Sequence, residues 1–311
     1  MKKPTNELLP EYLDHWLDAR ASDAQRGVIT HRTLMRYQSV VRCHLQPLLI
    51  GVHVRDFDEE QVRDLFHLLG AHRLAVNTQK GVKNVLSAVC RTAIQEKRRT
   101  TNPVELAHIR FGRAEVGKPF TALDQQAFFN AAPSACRFMS LYTLKVLTGA
   151  RIAELLGTQW PQLDLVRAEL RLESQWCRDT HRLEPLKNKK ARRVDLCPRA
   201  VAAFQRIPHT GPFIWGSPKM EYLQPLSYEV LRRDFRGGLL AAGLARRGYT
   251  MHALRHTYAT RLLELPGVQL HYVSEQLGHG SLEITRNLYG RTARAPRPDV
   301  LAQMTERGFG G

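Results

Sequence analysis

The segment Thr250-Met251-His252-Ala253-Leu254-Arg255-His256-Thr257-Tyr258-Ala259-Thr260 concentrates side chains that could do chemistry. In a helix, at about 100° per residue, Leu254, Tyr258, Leu262 and Leu265 make one apolar stripe, while His252, Arg255, His256 and Ala259 share another face. His252 and Arg255, three residues apart, can therefore address one object. Thr250 suits the N-cap of that helix. Two histidines four apart could also ligate a metal, but no glutamate stands in the HExxH position and no third ligand is evident. Taken alone, such a polar face is more often simply solvated.

Three further places matter. Gly149, Arg151 and Glu154 set an arginine and a carboxylate at the start of a helix, which in isolation reads as an exposed ion pair. Leu277-Gly278-His279 puts a histidine just past a glycine that ends a helix. Tyr289 follows ten residues later, where a lone tyrosine is commonly a packing residue. Each signal is weak alone; their order and spacing carry the information.

That combination resembles the tyrosine recombinase, or phage integrase, family over nearly the whole chain. The family's first box is matched by Thr148-Gly149-Ala150-Arg151-Ile152-Ala153-Glu154-Leu155 and its second by His252-Ala253-Leu254-Arg255-His256. Its third is matched by Leu277-Gly278-His279-Gly280-Ser281, followed by Tyr289. The stretch Leu186-Lys187-Asn188-Lys189-Lys190-Ala191-Arg192-Arg193-Val194 matches the family's β-turn lysine region and puts its catalytic lysine at Lys187, with Lys189 and Lys190 in the same turn. Two departures are visible: ten residues separate His279 from Tyr289 where nine are common in the family, and Asp195 stands where a proline is frequent.

The resemblance implies a set of roles. Arg151 and Arg255 fork onto the non-bridging oxygens of a pentavalent phosphorus, a task that suits guanidinium better than ammonium. His279 adds a hydrogen bond, and Tyr289 attacks to form a 3′-phosphotyrosine. A phenol of pKa about 10 is ionised in only about one molecule in a thousand at pH 7, so His252 is implied as general base. Lys187 is implied as general acid for the leaving 5′ oxygen, and Glu154 as a support that orients Arg151 or His252. The covalent bond conserves the phosphodiester energy, so neither ATP nor a metal or other cofactor is expected. The function implied is a site-specific integrase of a phage or other mobile element, working through a Holliday junction. A type IB topoisomerase-like relaxing enzyme and a catalytically silent DNA-binding regulator compete with that reading.

These residues must be positioned by a fold that is mainly α with a small β-sheet. A helical core-binding (SAM-like) domain is expected over residues 1–112, a linker over 113–119, an α+β catalytic domain over 120–292 and a tail over 293–311 that docks in trans. In the first part, Leu8, Leu9, Tyr12, Leu13, Trp16 and Leu17 recur at helical spacing, as do Val82, Val85, Leu86, Val89 and Ala93. Further helices are predicted over 33–49, closed by Gly51, and 59–69, closed by Gly70, and the long helix is predicted to stop at Thr101-Asn102-Pro103. In the second part Thr121 caps a helix over 123–132, and two more helices meet at Gly149. The alternation of Leu170, Leu172, Ser174 and Trp176 predicts a strand, and residues 182–187 and 192–196 flank a polar turn as a hairpin.

Composition agrees with a nucleic-acid partner. Charged residues make up 24% and hydrophobic ones 43%, the balance of a globular protein, and no apolar run is long enough for a membrane span. Lys and Arg number 46 against 29 Asp and Glu, a net charge of +17 that calls for a polyanion. Five scattered cysteines suggest reduced thiols and a cytoplasmic, nucleoid-associated protein. Basic clusters at Lys97-Arg98-Arg99, residues 187–193, Arg232-Arg233-Arg236 and Arg246-Arg247 are candidates for phosphate contacts, as are Thr78, Lys80 and Lys83 at the start of the long helix. Expected partners are double-stranded DNA bearing specific recombination sites, further copies of the chain forming a tetramer on it, and accessory or excision factors. No additional arm-binding domain is expected, which points to a short recognition site.

Overall fold

The computed structural model describes residues 7–112, 117–131, 136–186 and 191–278. Lys187, Lys189, Lys190, His279, Tyr289 and the tail lie outside the described residues. The chain divides into two compact units, residues 1–115 and 116–311.

The first unit is helical: α1 (Leu9–Gln25), α2 (His31–Val40), α3 (Glu59–Ala71), α4 (Val76–Gln95) and the short α5 (Pro103–Leu106). The starts of α2 and α3 are written in the sequence. Thr30 Oγ1 accepts from the Thr33 N–H, and Asp58 with Gln61 closes a reciprocal capping box. The two predicted apolar stripes meet in one core, where Tyr12, Leu13, Trp16, Val82, Leu86 and Val89 are all buried.

Three details differ from expectation. Gly70 lies inside α3, which runs on to Ala71. After α2 the helix widens into a π-turn (Val41–Leu45) and then tightens through Gln46–Leu48. The long helix α4 ends at Gln95, where Lys97 takes a positive φ of 59°. Asn102-Pro103 begins a helix rather than ending one: Asn102 Oδ1 caps the Val104 N–H, and Pro103 occupies the first turn, where no N–H is needed.

The second unit holds α6 (Ala122–Ala131), α7 (Met139–Thr148), α8 (Ile152–Gly157), α9 (Pro198–Gln205), α10 (Tyr228–Ala241), α11 (Met251–Glu264) and α12 (Leu270–Leu277). As predicted, Thr121 Oγ1 accepts from Asp124 N–H, at 3.0 Å. The strands are β1 (Leu163–Asp164), β2 (Glu169–Leu172), β3 (Ser174–Cys177), β4 (Arg182–Pro185) and β5 (Arg192–Asp195). They do not form the predicted arrangement. The alternating run splits at Glu173, so that β2 joins an antiparallel sheet in the order β1-β2-β5 while β3 pairs with β4 separately. Residues 182–187 and 192–196 are therefore not two arms of one hairpin. β5 returns to β2 in the register Leu170↔Val194, which buries Leu170, Leu172 and Val194 together.

Helix α11 runs through the middle of this unit, packed on α7 and α12. Ten of its 14 residues are buried, Arg255 and His256 among them, so most of the predicted polar face is enclosed, while His252 stays exposed. Among the described residues, no helix is long and apolar enough to cross a membrane.

Candidate active site

The site grows from the turn between α7 and α8. Gly149 ends α7 with φ +62°, a left-handed conformation that reverses the chain under α11. A Cβ there would sit 2.3 Å from Cδ1 of the buried Tyr258, so only glycine fits. Two residues later Arg151 is extended and opens α8.

Glu154, one turn into α8, is 2% exposed and gathers cations. Its Oε2 accepts the Arg151 backbone N–H at 2.7 Å and its Oε1 accepts Arg151 Nη1 at 2.7 Å. Arg192 on β5 adds a fork, donating from Nη1 to Oε1 at 2.9 Å and from Nη2 to Oε2 at 2.6 Å. Burial alone would raise this carboxyl. The Arg192 hydrogen bonds and charge, followed by the charges of Arg151 and Arg255, overcome that and hold it down at about 2. The pair is therefore not the exposed ion pair that these two residues suggest in isolation: the carboxylate is an internal anchor that holds Arg151.

Both candidate phosphate-binding arginines are tied to the C-terminal end of α12. Arg255, itself 2% exposed, donates from Nη2 to the Leu277 carbonyl and from Nη1 to the Gly149 carbonyl, both at 2.7 Å. Arg151 Nη2 approaches the next carbonyl, Gly278, at 3.5 Å. Carbonyls at a helix C-terminus carry partial negative charge that favours cations. Arg192 Nε also reaches this end, donating to Gln276 O at 3.0 Å, and a Cβ on Gly278 would lie 2.7 Å from Arg192 Cδ. Three guanidiniums from three elements thus converge on residues 276–278. Arg151 keeps 32% of its side chain exposed, and so remains within reach of an incoming anion.

On α11, Thr250 caps the first turn as predicted, accepting from His252 N–H. The rings of His252 and His256 meet edge to face, 4.7 Å apart. His252 is exposed at its outer edge, yet its pKa is pushed down to about 3, by desolvation on its inner side and then by Lys145, His256, Arg255 and Arg151. His256 is buried and lowered too, by desolvation first and then by Arg255 and Lys145. His252 is therefore a neutral imidazole at pH 7, the form that can accept a proton.

Of the predicted site residues, the structure brings together Arg151, Glu154, His252 and Arg255. Two were missed. In the sequence Arg192 reads only as one of a basic run, and Lys145, 1% exposed on α7, belongs to no motif. The signal for Arg192 would have been its place in the strand facing Glu154; for Lys145 it is a lone lysine inside the apolar run Leu144-Lys145-Val146-Leu147. Among the candidate DNA contacts, Thr78 and Lys80 are exposed on α4, while Lys83 is half-buried with Nζ 5.9 Å from the Phe111 ring centroid. Arg232 and Arg233 are exposed, the former paired with Glu229 at 2.9 Å. The cluster at residues 97–99 is not a uniform basic face: Arg99 is buried and donates to the carbonyls of Val54, Phe57 and Thr101, and Arg98 pairs with Glu7 and Glu96. Among the described residues, no group of three or more His, Cys, Asp or Glu could hold a metal ion.

Comparison with known proteins places this geometry in context. Residues 120–295 match the phage integrase family. The chain is 24% identical over 290 residues to a XerC-like tyrosine recombinase of Caldanaerobacter subterraneus subsp. tengcongensis, covering 83% of this chain and 73% of the relative. It is 24% identical over 277 residues to the tyrosine recombinase XerD of Brucella melitensis, covering 85% and 87%. Among solved structures, the Tn1549 transposon integrase in complex with a circular intermediate DNA superposes with a TM-score of 0.76 at 19% identity, over 94% of this chain and 98% of that one. A lambda integrase tetramer bound to a Holliday junction gives 0.70 at 23% identity, over 92% and 79%.

Proposed function

The chain belongs to the phage integrase family of DNA recombinases, and from that premise we propose that it is a site-specific integrase that cleaves and rejoins DNA through a 3′-phosphotyrosine at Tyr289. The observation that carries this reading is the common seat of Arg151 and Arg255. They donate to the consecutive carbonyls of Gly278 and Leu277, and the next residue in the chain is His279. A phosphodiester arriving at the exposed flank of Arg151 meets guanidiniums whose positions are fixed in advance by Glu154, Gly149 O and Leu277 O. Such preorganised charge stabilises a pentavalent phosphorus without reorganisation during the reaction.

In this scheme the Tyr289 phenol loses its proton to His252, which is neutral at pH 7 and gains basicity when the negative charge of an arriving phosphate offsets the cations that lower it. The phenolate attacks phosphorus, the 5′ oxygen departs with a proton from Lys187, and the reverse attack by a partner strand's 5′ hydroxyl restores the phosphodiester. His279 donates to the same phosphate. The guanidiniums supply the charge neutralisation, and neither ATP nor a metal takes part. Acting in a tetramer on two duplexes, the protein would serve a phage or another mobile element. The net charge of +17 favours a DNA partner, gripped by contacts that include Thr78, Lys80 and Arg233.

The test begins with the DNA trapped covalently from a library of nicked duplexes, which is sequenced to give the site. Two duplexes of different length carrying that site are then incubated with the protein and a chelator. Recombinant-length products are expected. Relaxation of supercoiled DNA without exchange would favour a type IB topoisomerase, and specific binding without any covalent adduct would favour a silent regulator; either result overturns the reading.

A further inference from the structure

One buried ammonium lies directly behind the arginine-bearing turn, and no step above uses it. Lys145 is 1% exposed, and its Nζ donates to the carbonyl of Ala150, the residue before Arg151, at 2.8 Å. The preceding carbonyl, that of Gly149, is taken by Arg255 at 2.7 Å. Two consecutive carbonyls of one turn are thus each held by a cation, one from α7 and one from α11. A lysine at this place is expensive, because methionine or leucine would fill the same space with no charge to desolvate. A local rule broken in a packed core next to a reaction centre is the signature of function.

The charged and titratable groups around it come from two directions. Arg255, His252 and His256 face it from α11, while Arg151 and Glu154 face it from the start of α8. We propose that Lys145 is a positioning residue for DNA cleavage: it clamps the backbone that presents Arg151, and its charge adds to the field that meets His252 and the phosphate. The proposal rests on the recombinase reading given above. Desolvation first, then the charges of Arg255 and Arg151, lower this amine to about 7 in spite of Glu154. Near neutral pH it is therefore shared between two forms. Both forms can donate to Ala150 O, but only the ammonium contributes charge, and an arriving phosphate draws the balance toward it.

The test compares wild type with Lys145→Met, which keeps length and apolar bulk, and Lys145→Gln, which keeps a donor without charge. Single-turnover cleavage of a nicked substrate at saturating protein and pH 7 should slow by about tenfold or more in Lys145→Met, a size consistent with removing a neighbouring charge at an effective dielectric of about 20. Noncovalent affinity for the same DNA should stay within about twofold, since the amine is enclosed. In the free protein, the His252 ring followed by NMR should titrate at higher pH in both variants than in wild type. A purely structural lysine would instead lower the melting temperature and leave the His252 titration in place. Unchanged cleavage overturns the proposal whatever the histidine does, and if Lys145→Met fails to fold, cleavage by Lys145→Gln decides. Wild-type protein that forms no covalent adduct would overturn the recombinase reading instead, while the histidine titration would still report on Lys145.

Discussion

Replacing Glu154 by glutamine removes one negative charge from a cluster that holds three arginines in register. The wild-type carboxylate accepts from the Arg151 N–H and Nη1 and from Arg192 Nη1 and Nη2. A glutamine can keep one oxygen toward two of these donors. Its amide nitrogen must then face the other two, setting donors against donors. Two charge-related hydrogen bonds at about 1.5–3 kcal/mol each, and an Arg192 guanidinium left buried without its counter-charge, give a loss of about 3–5 kcal/mol. The proton linkage gives a similar figure. A folded pKa of about 2 against an ordinary 4.5 amounts to about 3 kcal/mol of stability. Because the folded value is depressed, that contribution is complete above about pH 4.5 and disappears as pH falls through about 2. Urea unfolding followed by tryptophan fluorescence suits the measurement, since Trp160, Trp176 and Trp215 all lie in the second unit. The difference between wild type and Glu154→Gln should be full at pH 7 and smaller by about 2 kcal/mol at pH 3. A difference under about 1 kcal/mol at pH 7, or one that does not shrink with acid, would show that Glu154 does not anchor these arginines as a carboxylate.

Other perturbations test separate parts. Gly149→Ala combines a left-handed φ of 62° with a Cβ 2.3 Å from a buried tyrosine ring, so a loss of about 3 kcal/mol or more is expected in the same unfolding assay. Arg255→Lys keeps a charge but cannot hold Gly149 O and Leu277 O from one planar group; cleavage should fall by about 10²–10³-fold in single-turnover assays. Lys80→Ala, at an exposed position on α4, should reduce the slope of log affinity against log salt by about 1 if it meets a phosphate, with the cleavage rate at saturation unchanged.

Much of the site was legible because its chemistry is local. The caps at Thr121 and Thr250 use side chains within a turn of their targets, and the stripe Leu254, Tyr258 and Leu262 repeats at the helical period. What escaped depends on partners distant in sequence. Arg192 lies 38 residues from Glu154, and within a basic run it looks like a DNA contact until β5 pairs with β2 and turns it inward. The same holds for Arg99, whose acceptors Val54 and Phe57 belong to a different loop. Periodicity could not tell whether the alternating run through residues 170–176 was one strand or two, because the break at Glu173 is set by which neighbours each half finds. Nor could it tell a polar helix face that meets water from one that meets other cations, which is the case for Arg255 and His256.

In the proposed reaction Tyr289 becomes joined to DNA at a phosphate held by Arg151 and Arg255. The direct measurement is to trap the protein on a nicked duplex bearing its site, digest the adduct and locate the phosphodeoxynucleotide by mass spectrometry. A single modified peptide carrying the mass on Tyr289 is expected, absent in Tyr289→Phe and strongly reduced in Arg151→Ala and Arg255→Ala. A nucleotide attached to another residue, or an adduct that persists in Tyr289→Phe, would contradict it.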